Sequence, residues 1–318
     1  MKLKDLYQRA IAEGINADIR GDSGIKKLLA ETASRCQALT GRDKELFDRE
    51  SLTNPFSDSR IIHGDPETEV KCFLAGIDVE GAEMLTAHTL RGRGVKIDLV
   101  MAHHPEGKAY ANFYEVMDLQ VDAYFREGIS ISAAQDFLSE RKAQVARRVH
   151  AANHQRTADV ARLLDVPLIC LHTPCDNLAF QFVNALVSDK KPDTLGKVIE
   201  LLMNIPEYDH AARFNNPPMI VSGAKDSRVS RVHVEFTGGT QGPQDIYSHL
   251  AAKGVDTIIA MHQSEDHYKK CKEAHINVIF ASHIASDSLG FNLMLDHLEK
   301  CAGFLEIKEF GGFHRAKR

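Results

Sequence analysis

Eight short apolar runs, each of strand length and each separated from the next by an amphipathic stretch, constrain this chain most. They lie at 72–77, 97–101, 166–171, 219–221, 231–236, 257–261, 276–281 and 304–307. Apolar runs of three to six residues bounded by turn signals suit strands buried on both faces, and the charged stretches between them carry helical periodicity. Alternation of the two predicts an α/β protein with mixed sheets. Residues 1–50 depart from this pattern: Leu3, Leu6 and Ile11 mark one helix, and Ile25, Leu28 and Leu29 mark a second. We read them as an N-terminal helical segment attached to a core at 51–318, whose internal boundaries fall near 110–130 and 215–245. Residues 130–164 carry no glycine or proline and read as one long or broken helix. The sequence shows no internal repeat.

With 318 residues, 43% of them hydrophobic, the chain can fill one large core or two ordinary ones without covalent staples. Six scattered cysteines form no C-x-x-C pair, which together with the lack of a charged-then-apolar leader predicts a reducing, cytoplasmic setting. No apolar run approaches the roughly 20 residues needed to cross a bilayer. A net charge of −5 argues against broad nucleic-acid binding, which needs a cationic surface to displace phosphate counterions.

The chemistry lies where the runs end. Four of them lead into histidine: VKIDLVMA into His103 and His104, VPLICL into His172, DTIIAM into His262, and INVIFAS into His283. Loops at the carboxyl ends of parallel strands face one crevice, so residues far apart in sequence converge there. Two of these histidines carry a carboxylate four residues on, His172 with Asp176 and His283 with Asp287. If each pair enters the first turn of a helix, positions i and i+4 share a face and aim at one ion. Adjacent His103 and His104 both serve as ligands only once the strand has ended, and Pro105 supplies that ending. Neighbouring imidazoles diverging from a bend suit two metals about 3.5–4 Å apart that share carboxylates. Asp176 and Asp287 are the expected bridges. An all-His/Asp set accepts two divalent ions per chain, with Zn, Mn, Fe, Co and Ni all compatible, and leaves positions open for water.

At these residues the sequence resembles the NGG-interacting factor three family of GTP cyclohydrolase I type 2-like proteins. The matching pieces are GIDV (Gly76 to Val79), AHHP (Ala102 to Pro105), HTPCD (His172 to Asp176), and VDTIIAMHQSEDH running on to INVIFASHIASDSLG. The resemblance implies two interleaved α/β lobes with a two-metal site in the cleft between them, and assembly as a ring-like homohexamer. It assigns His103, His104, Asp176, His283 and Asp287 as ligands, with His172 nearby. Two departures sit at the site: many relatives have glutamate at the position of Asp287, and many have T-G-E where this chain has Ala260, Met261 and His262.

The expected function is therefore metal-dependent hydrolysis of a small molecule, a nucleotide ring-opening being what the family name implies. His262, His172 and His267 are the expected proton carriers. The alternatives are a binuclear hydrolase of another small phosphorylated substrate, and a metal-binding assembly or regulatory protein without turnover. Gly238 and Gly239 follow a strand and precede a helix, where backbone amides hold phosphate or simply make a tight turn. RGDSG at 20–24 reads as a turn and helix cap rather than a serine nucleophile. RGRG at 91–94 lacks the third glycine of a dinucleotide fingerprint and reads as a helix stop. Cys175 reads as a small core residue.

Overall fold

The computed structural model describes residues 1–318. The first sheet contains β1 (Arg60–His63), β2 (Cys72–Gly76), β3 (Leu99–Ala102), β4 (Leu168–Cys170) and, at its far edge, the last strand of the chain. The second contains β5 (Met219–Ser222), β6 (Val232–Glu235), β7 (Thr257–Ala260) and β8 (Asn277–Phe280), and the chain then returns to the first sheet with β9 (Glu306–Phe310). The orders are β1-β4-β3-β2-β9 and β5-β8-β7-β6, with β1 and β5 antiparallel to their neighbours and every other pairing parallel.

Removing β9 leaves two sheets of the same topology, and the likeness reaches single hydrogen bonds. Asp98 accepts from the amides of Lys71 and Cys72 in one sheet, and Asp256 from those of Ser230 and Arg231 in the other. Both antiparallel first strands shift register at the same place, between Ile61 and His63 and between Ile220 and Ser222. Gly94 and Gly254 take the same left-handed turn, at φ 85° and 86°. The chain is thus an internal repeat, which its sequence does not show by eye. Periodicity hides it because the two halves share backbone geometry and few side chains, and because a helical insertion lengthens the first half.

That insertion explains the interleaving. Helix Leu119–Arg126 and helix Ile131–His150 lie between β3 and β4 in sequence, yet Val121, Tyr124, Leu138 and Val145 pack on the second sheet beside Ile258 and Val278. The helical stretch at 130–164 is broken, not continuous. Asn153 Oδ1 accepts from the Gln155 amide at 3.3 Å, so a side chain supplies the stop that glycine or proline would have supplied. Alternation along the strands feeds both faces of each sheet: Phe73 and Ala75 enter one core and Leu74 another. Two long helices, Thr173–Lys190 and His283–Ala302, pack against each other and fill the layer between the sheets. The first helix, Leu3–Asn16, also belongs to this layer, with Leu3, Leu6 and Ala10 fully buried. No helix is long and apolar enough to cross a membrane.

Seven of the eight expected strands agree with the structure to within two residues at each end. The last begins at Glu306 and runs on to Phe310, past the end of the apolar run at 304–307. The strand Arg60–His63 was not anticipated, because a four-residue RIIH segment next to turns carries too little pattern to stand out.

Candidate metal centre

The two central helices begin at the same place. His172 precedes the first and His283 opens the second, so Asp176 and Asp287 lie buried in the first turns. Their approach is unusually close: a Cβ added at Gly290 would lie 2.2 Å from the Cys175 carbonyl oxygen. Opposite them, β3 has ended at Ala102. The His103 amide donates to the Gly76 carbonyl and the His104 amide to the Ile77 carbonyl, which turns both imidazoles into the crevice with ring centres 5.3 Å apart.

The structure brings His103, His104, His172, Asp176, His283 and Asp287 together. His103 Nε2 lies 3.3 Å from Asp176 Oδ1 and 3.5 Å from Asp287 Oδ1. Asp287 Oδ2 lies 3.3 Å from His104 Nε2 and 3.4 Å from His283 Nε2. Donor atoms therefore fall into one group of His103, Asp176 and Asp287 and another of His104, His283 and Asp287, while His103, His104 and His172 form a third. Asp287 is shared between the first two groups, and Asp176 belongs to only one of them.

Each of the first three histidines has its other ring nitrogen already engaged. His103 Nδ1 faces the Leu171 carbonyl at 3.1 Å, His104 Nδ1 the Asp78 carboxylate at 2.7 Å, and His172 Nδ1 the Asp58 carboxylate at 2.8 Å. An acceptor at Nδ1 fixes the proton there and turns the Nε2 lone pair inward, the arrangement that metal-ligating imidazoles use. Asp58 is fully buried and also accepts from the Thr173 amide and hydroxyl. Sequence reasoning missed Asp58 and assigned Asp78 no role. Asp58 has no spacing signal, but Asp78 follows β2 as the histidines follow their strands.

Electrostatics agree with a place made for cations. His103 Nε2, Asp176 Oδ1 and Asp287 Oδ2 are buried without a hydrogen-bond partner, a costly state unless an ion joins them. Burial opposes charge at His104, yet Asp287 and Asp78 hold its pKa up at about 9. Burial likewise opposes charge on Asp287, but the facing His103 and His104 drive its carboxyl well below the usual range. Protons on the imidazoles thus balance the carboxylates where a divalent ion would otherwise do so. Neutral imidazoles, carboxylates and open positions for water are a donor set that suits divalent ions.

His262 stands beside the cluster, its ring centre 4.6 Å from that of His283. Burial, and then His283, lower its pKa to about 4. Gln241 Oε1 accepts from the Ser264 amide, so its amide nitrogen, 2.6 Å from His262 Nδ1, donates. His262 is therefore neutral with its proton on Nε2. His267, in contrast, is buried away from the cluster, with Nδ1 on Ser264 Oγ at 2.7 Å and Nε2 on the Gly242 carbonyl at 2.9 Å. The structure does not bring it to the cluster. Gly238 and Gly239, at φ 89° and 81°, form a turn packed on Gln120 and Val116, and the next helix starts only at Ile246. Gly239 lines the cleft wall, but the helix-terminus geometry expected for phosphate is not there. Cys175 is fully buried, as a core residue should be.

The cleft above the cluster encloses about 80 Å³, less than the roughly 300–1,000 Å³ of pockets that swallow drug-sized ligands. His172, Asp176, His283 and Asp287 form its floor, and Glu235, Thr237, Gln241 and His262 are among its walls. Its lining includes carboxylates and neutral polar groups and no lysine or arginine.

No protein-family model and no curated protein matches the chain. Solved structures do. A NIF3 superfamily protein from Sphaerobacter thermophilus is 27% identical with a TM-score of 0.70, over 90% of this chain and 98% of that one. Reduced HcgD from Methanocaldococcus jannaschii is 13% identical with a TM-score of 0.46, over 83% and 93%. A Bacillus cereus protein related to NIF3 is 10% identical with a TM-score of 0.42, over 88% and 96%.

Proposed function

The chain belongs to the NIF3 superfamily, and from that premise we propose that it is a metal-dependent hydrolase using two divalent ions in the His/Asp cluster. The carrying observation is the set of three buried, unpartnered atoms, His103 Nε2, Asp176 Oδ1 and Asp287 Oδ2, gathered around one space. In this reading His103, Asp176 and Asp287 hold one ion, and His104, His283 and Asp287 the other. His172 adds a donor on the side of His103 and His104. When bound, such ions lower the pKa of water towards 7 and polarise the group it attacks.

The chain's own residues supply the rest. Asp58 and Asp78 keep His172 and His104 in one tautomer and one orientation. Two helix N-termini point at the same space, where their partial positive charge favours the negative charge that builds up on an attacked carbonyl or similar oxygen. His262 presents its Nε2–H at the cleft wall, suited to donating a hydrogen bond to a developing oxyanion.

Among hydrolytic substrates, the lining favours one that is not highly anionic. A nucleoside triphosphate would meet Asp176, Asp287 and Glu235 with the ions as the nearby counter-charge. Ring opening of GTP, and hydrolysis of other phosphorylated molecules, are therefore weaker readings than hydrolysis of an uncharged amide-like group. A ring-like hexamer and a cytoplasmic location belong to the same proposal. Metal analysis of the purified protein, with turnover screens run on the metal-loaded form, tests it. Two ions per chain and loss of both in Asp287→Ala are expected. Formate release from GTP would restore the nucleotide reading, and a metal-loaded protein inert toward every hydrolysable class would leave a metal-binding assembly in its place.

A further inference from the structure

The internal repeat supplies a template for what occupies the cleft. In the first sheet β2 is paired on both sides, by β3 and by β9. Beyond β9, the Gly311 carbonyl accepts from the amides of Ile77 and Asp78, so that strand runs up to the cluster beside His104. In the second sheet the counterpart of β2 is β6, and β6 pairs with β7 alone. No strand occupies the place that β9 takes in the first half.

The register of β6 on β7 identifies the groups left open. Arg231 turns its carbonyl to β7, accepting from Asp256 and Thr257, as Cys72 does for Asp98. Residues alternate along a parallel ladder, so His233 and Glu235 also face β7, while Val232, Val234 and Phe236 direct their backbone N–H and C=O groups away from it, those of the buried Val234 and Phe236 into the narrow cleft. Residues His233 to Thr237 all line the cleft, and the same cleft ends on His172, Asp176, His283 and Asp287. Ala123 and Tyr124 wall it on one side and Phe180 on the other. An unpaired strand edge with a wall on each side, leading straight to the His/Asp cluster, is the geometry of strand addition, in which main-chain hydrogen bonds hold an extended chain and the walls read its alternate side chains.

We propose that the open edge of β6 binds the terminal residues of an extended peptide, lying parallel to β6 as β9 lies parallel to β2, with its carboxyl-terminal end at the His/Asp cluster. Docking stands on the edge and the cleft; only the cleavage step at the cluster rests on the hydrolase reading. There, water adds its oxygen to the amide carbon, the C–N bond breaks, and the nitrogen leaves as an amine carrying a proton from the water. The small enclosed volume limits the buried part to the last one or two residues, with the remainder of the peptide outside.

Tetra-alanine and its counterpart methylated at the amide nitrogens are suitable probes, read by hydrogen exchange on isotope-labelled full-length protein loaded with zinc. Tetra-alanine is expected to slow exchange at Val232, Val234 and Phe236 at least tenfold, and the methylated peptide to leave it unchanged. Val234→Pro removes an outward amide that β7 does not use, and should weaken tetra-alanine binding at least tenfold with metal content unaltered. Equal protection by both peptides, or none by either, overturns the proposal. So does protection already present without peptide in an oligomer, which would assign the edge to a second copy of this chain. Binding without release of alanine leaves the docking site standing and removes peptide hydrolysis from it.

Discussion

Gly290→Ala tests whether the cluster depends on how closely the two central helices approach. The added Cβ would sit 2.2 Å from the Cys175 carbonyl oxygen and 2.8 Å from its carbon. Ordinary C···O contacts begin at about 3.3 Å, so the helices must separate by about 1 Å. Relief by a rotamer change is closed off, because the atoms struck are backbone. Overpacking of this kind costs about 1–3 kcal/mol, against which alanine returns up to about 1 kcal/mol of helix propensity. A net loss of about 1–2 kcal/mol lowers Tm by roughly 1.5–3 °C for a chain of this length. The larger effect falls on the proposed metal binding. Asp287 lies three residues before Gly290, and Asp176 is next to Cys175. A shift of about 1 Å between these carboxylates far exceeds the roughly 0.2 Å tolerance of a metal–ligand distance. Chelator competition should therefore show metal affinity reduced at least tenfold. Gly92→Ala is the control, in a helix with nothing near the added atom, and should leave metal content intact. If Gly290→Ala keeps wild-type affinity and a Tm within about 1 °C, the close helix approach does not set the site.

Three further changes probe other parts of the structure. Asp78→Asn removes the carboxylate from His104 Nδ1 at an exposed position, and should cut metal affinity about tenfold while metal-free stability stays within about 0.5 kcal/mol. Isothermal titration and urea unfolding report the two quantities, and an unchanged affinity refutes the orienting role. Asp58→Ala strands His172 Nδ1 and the Thr173 hydroxyl in a buried place, so unfolding stability should fall by about 3 kcal/mol together with metal binding; stability equal to wild type would refute that network. Glu127 ties the helical insertion to the second sheet through His233 at 2.9 Å and Arg231 at 2.8 Å. Burial opposes its charge, but His233 and Arg231 hold its pKa below 4.5, so its contribution is present above pH 4.5 and is lost as pH falls through the lowered folded value. Glu127→Gln should cost about 2 kcal/mol at pH 7, with the gap to wild type closing in urea titrations at progressively lower pH; a gap independent of pH refutes the pairing.

The legible parts of this chain were those with a strong local signature. Residues such as Val100, Ile169 and Ile258 are buried on both sheet faces, so their strands read as apolar runs. His103, His104, His172 and His283 sit where such runs stop, and that position alone placed them in one crevice. What escaped was non-local. β1 is short and held by pairing with β4, and Asp58 reaches His172 across 114 positions of sequence. The bridging expectation divided: Asp287 spans two donor groups, whereas Asp176 serves one. His267 was an expected proton carrier, but its helix turns both ring nitrogens into Ser264 and Gly242. A spacing pattern carries no information about which way the helix rolls.

The repeat also gives the site its direction. By strand register Ala102 corresponds to Ala260, so His103 and His104 correspond to Met261 and His262. Each half supplies a His-x-x-x-Asp at the start of a central helix, but the second half has one residue more between its strand and that histidine, and Ser282 takes φ 72° to accommodate it. A symmetric duplication would close the cluster on both sides with imidazoles. Here the first half brings two and the second brings a thioether and a histidine turned toward Gln241. Both of these residues line the cleft. The side on which the repeat is broken is the side on which the cluster opens, next to the one edge, β6, that lacks the partner its counterpart has. Ligation, access and the unpaired edge thus share one origin, the divergence of the second half from the first.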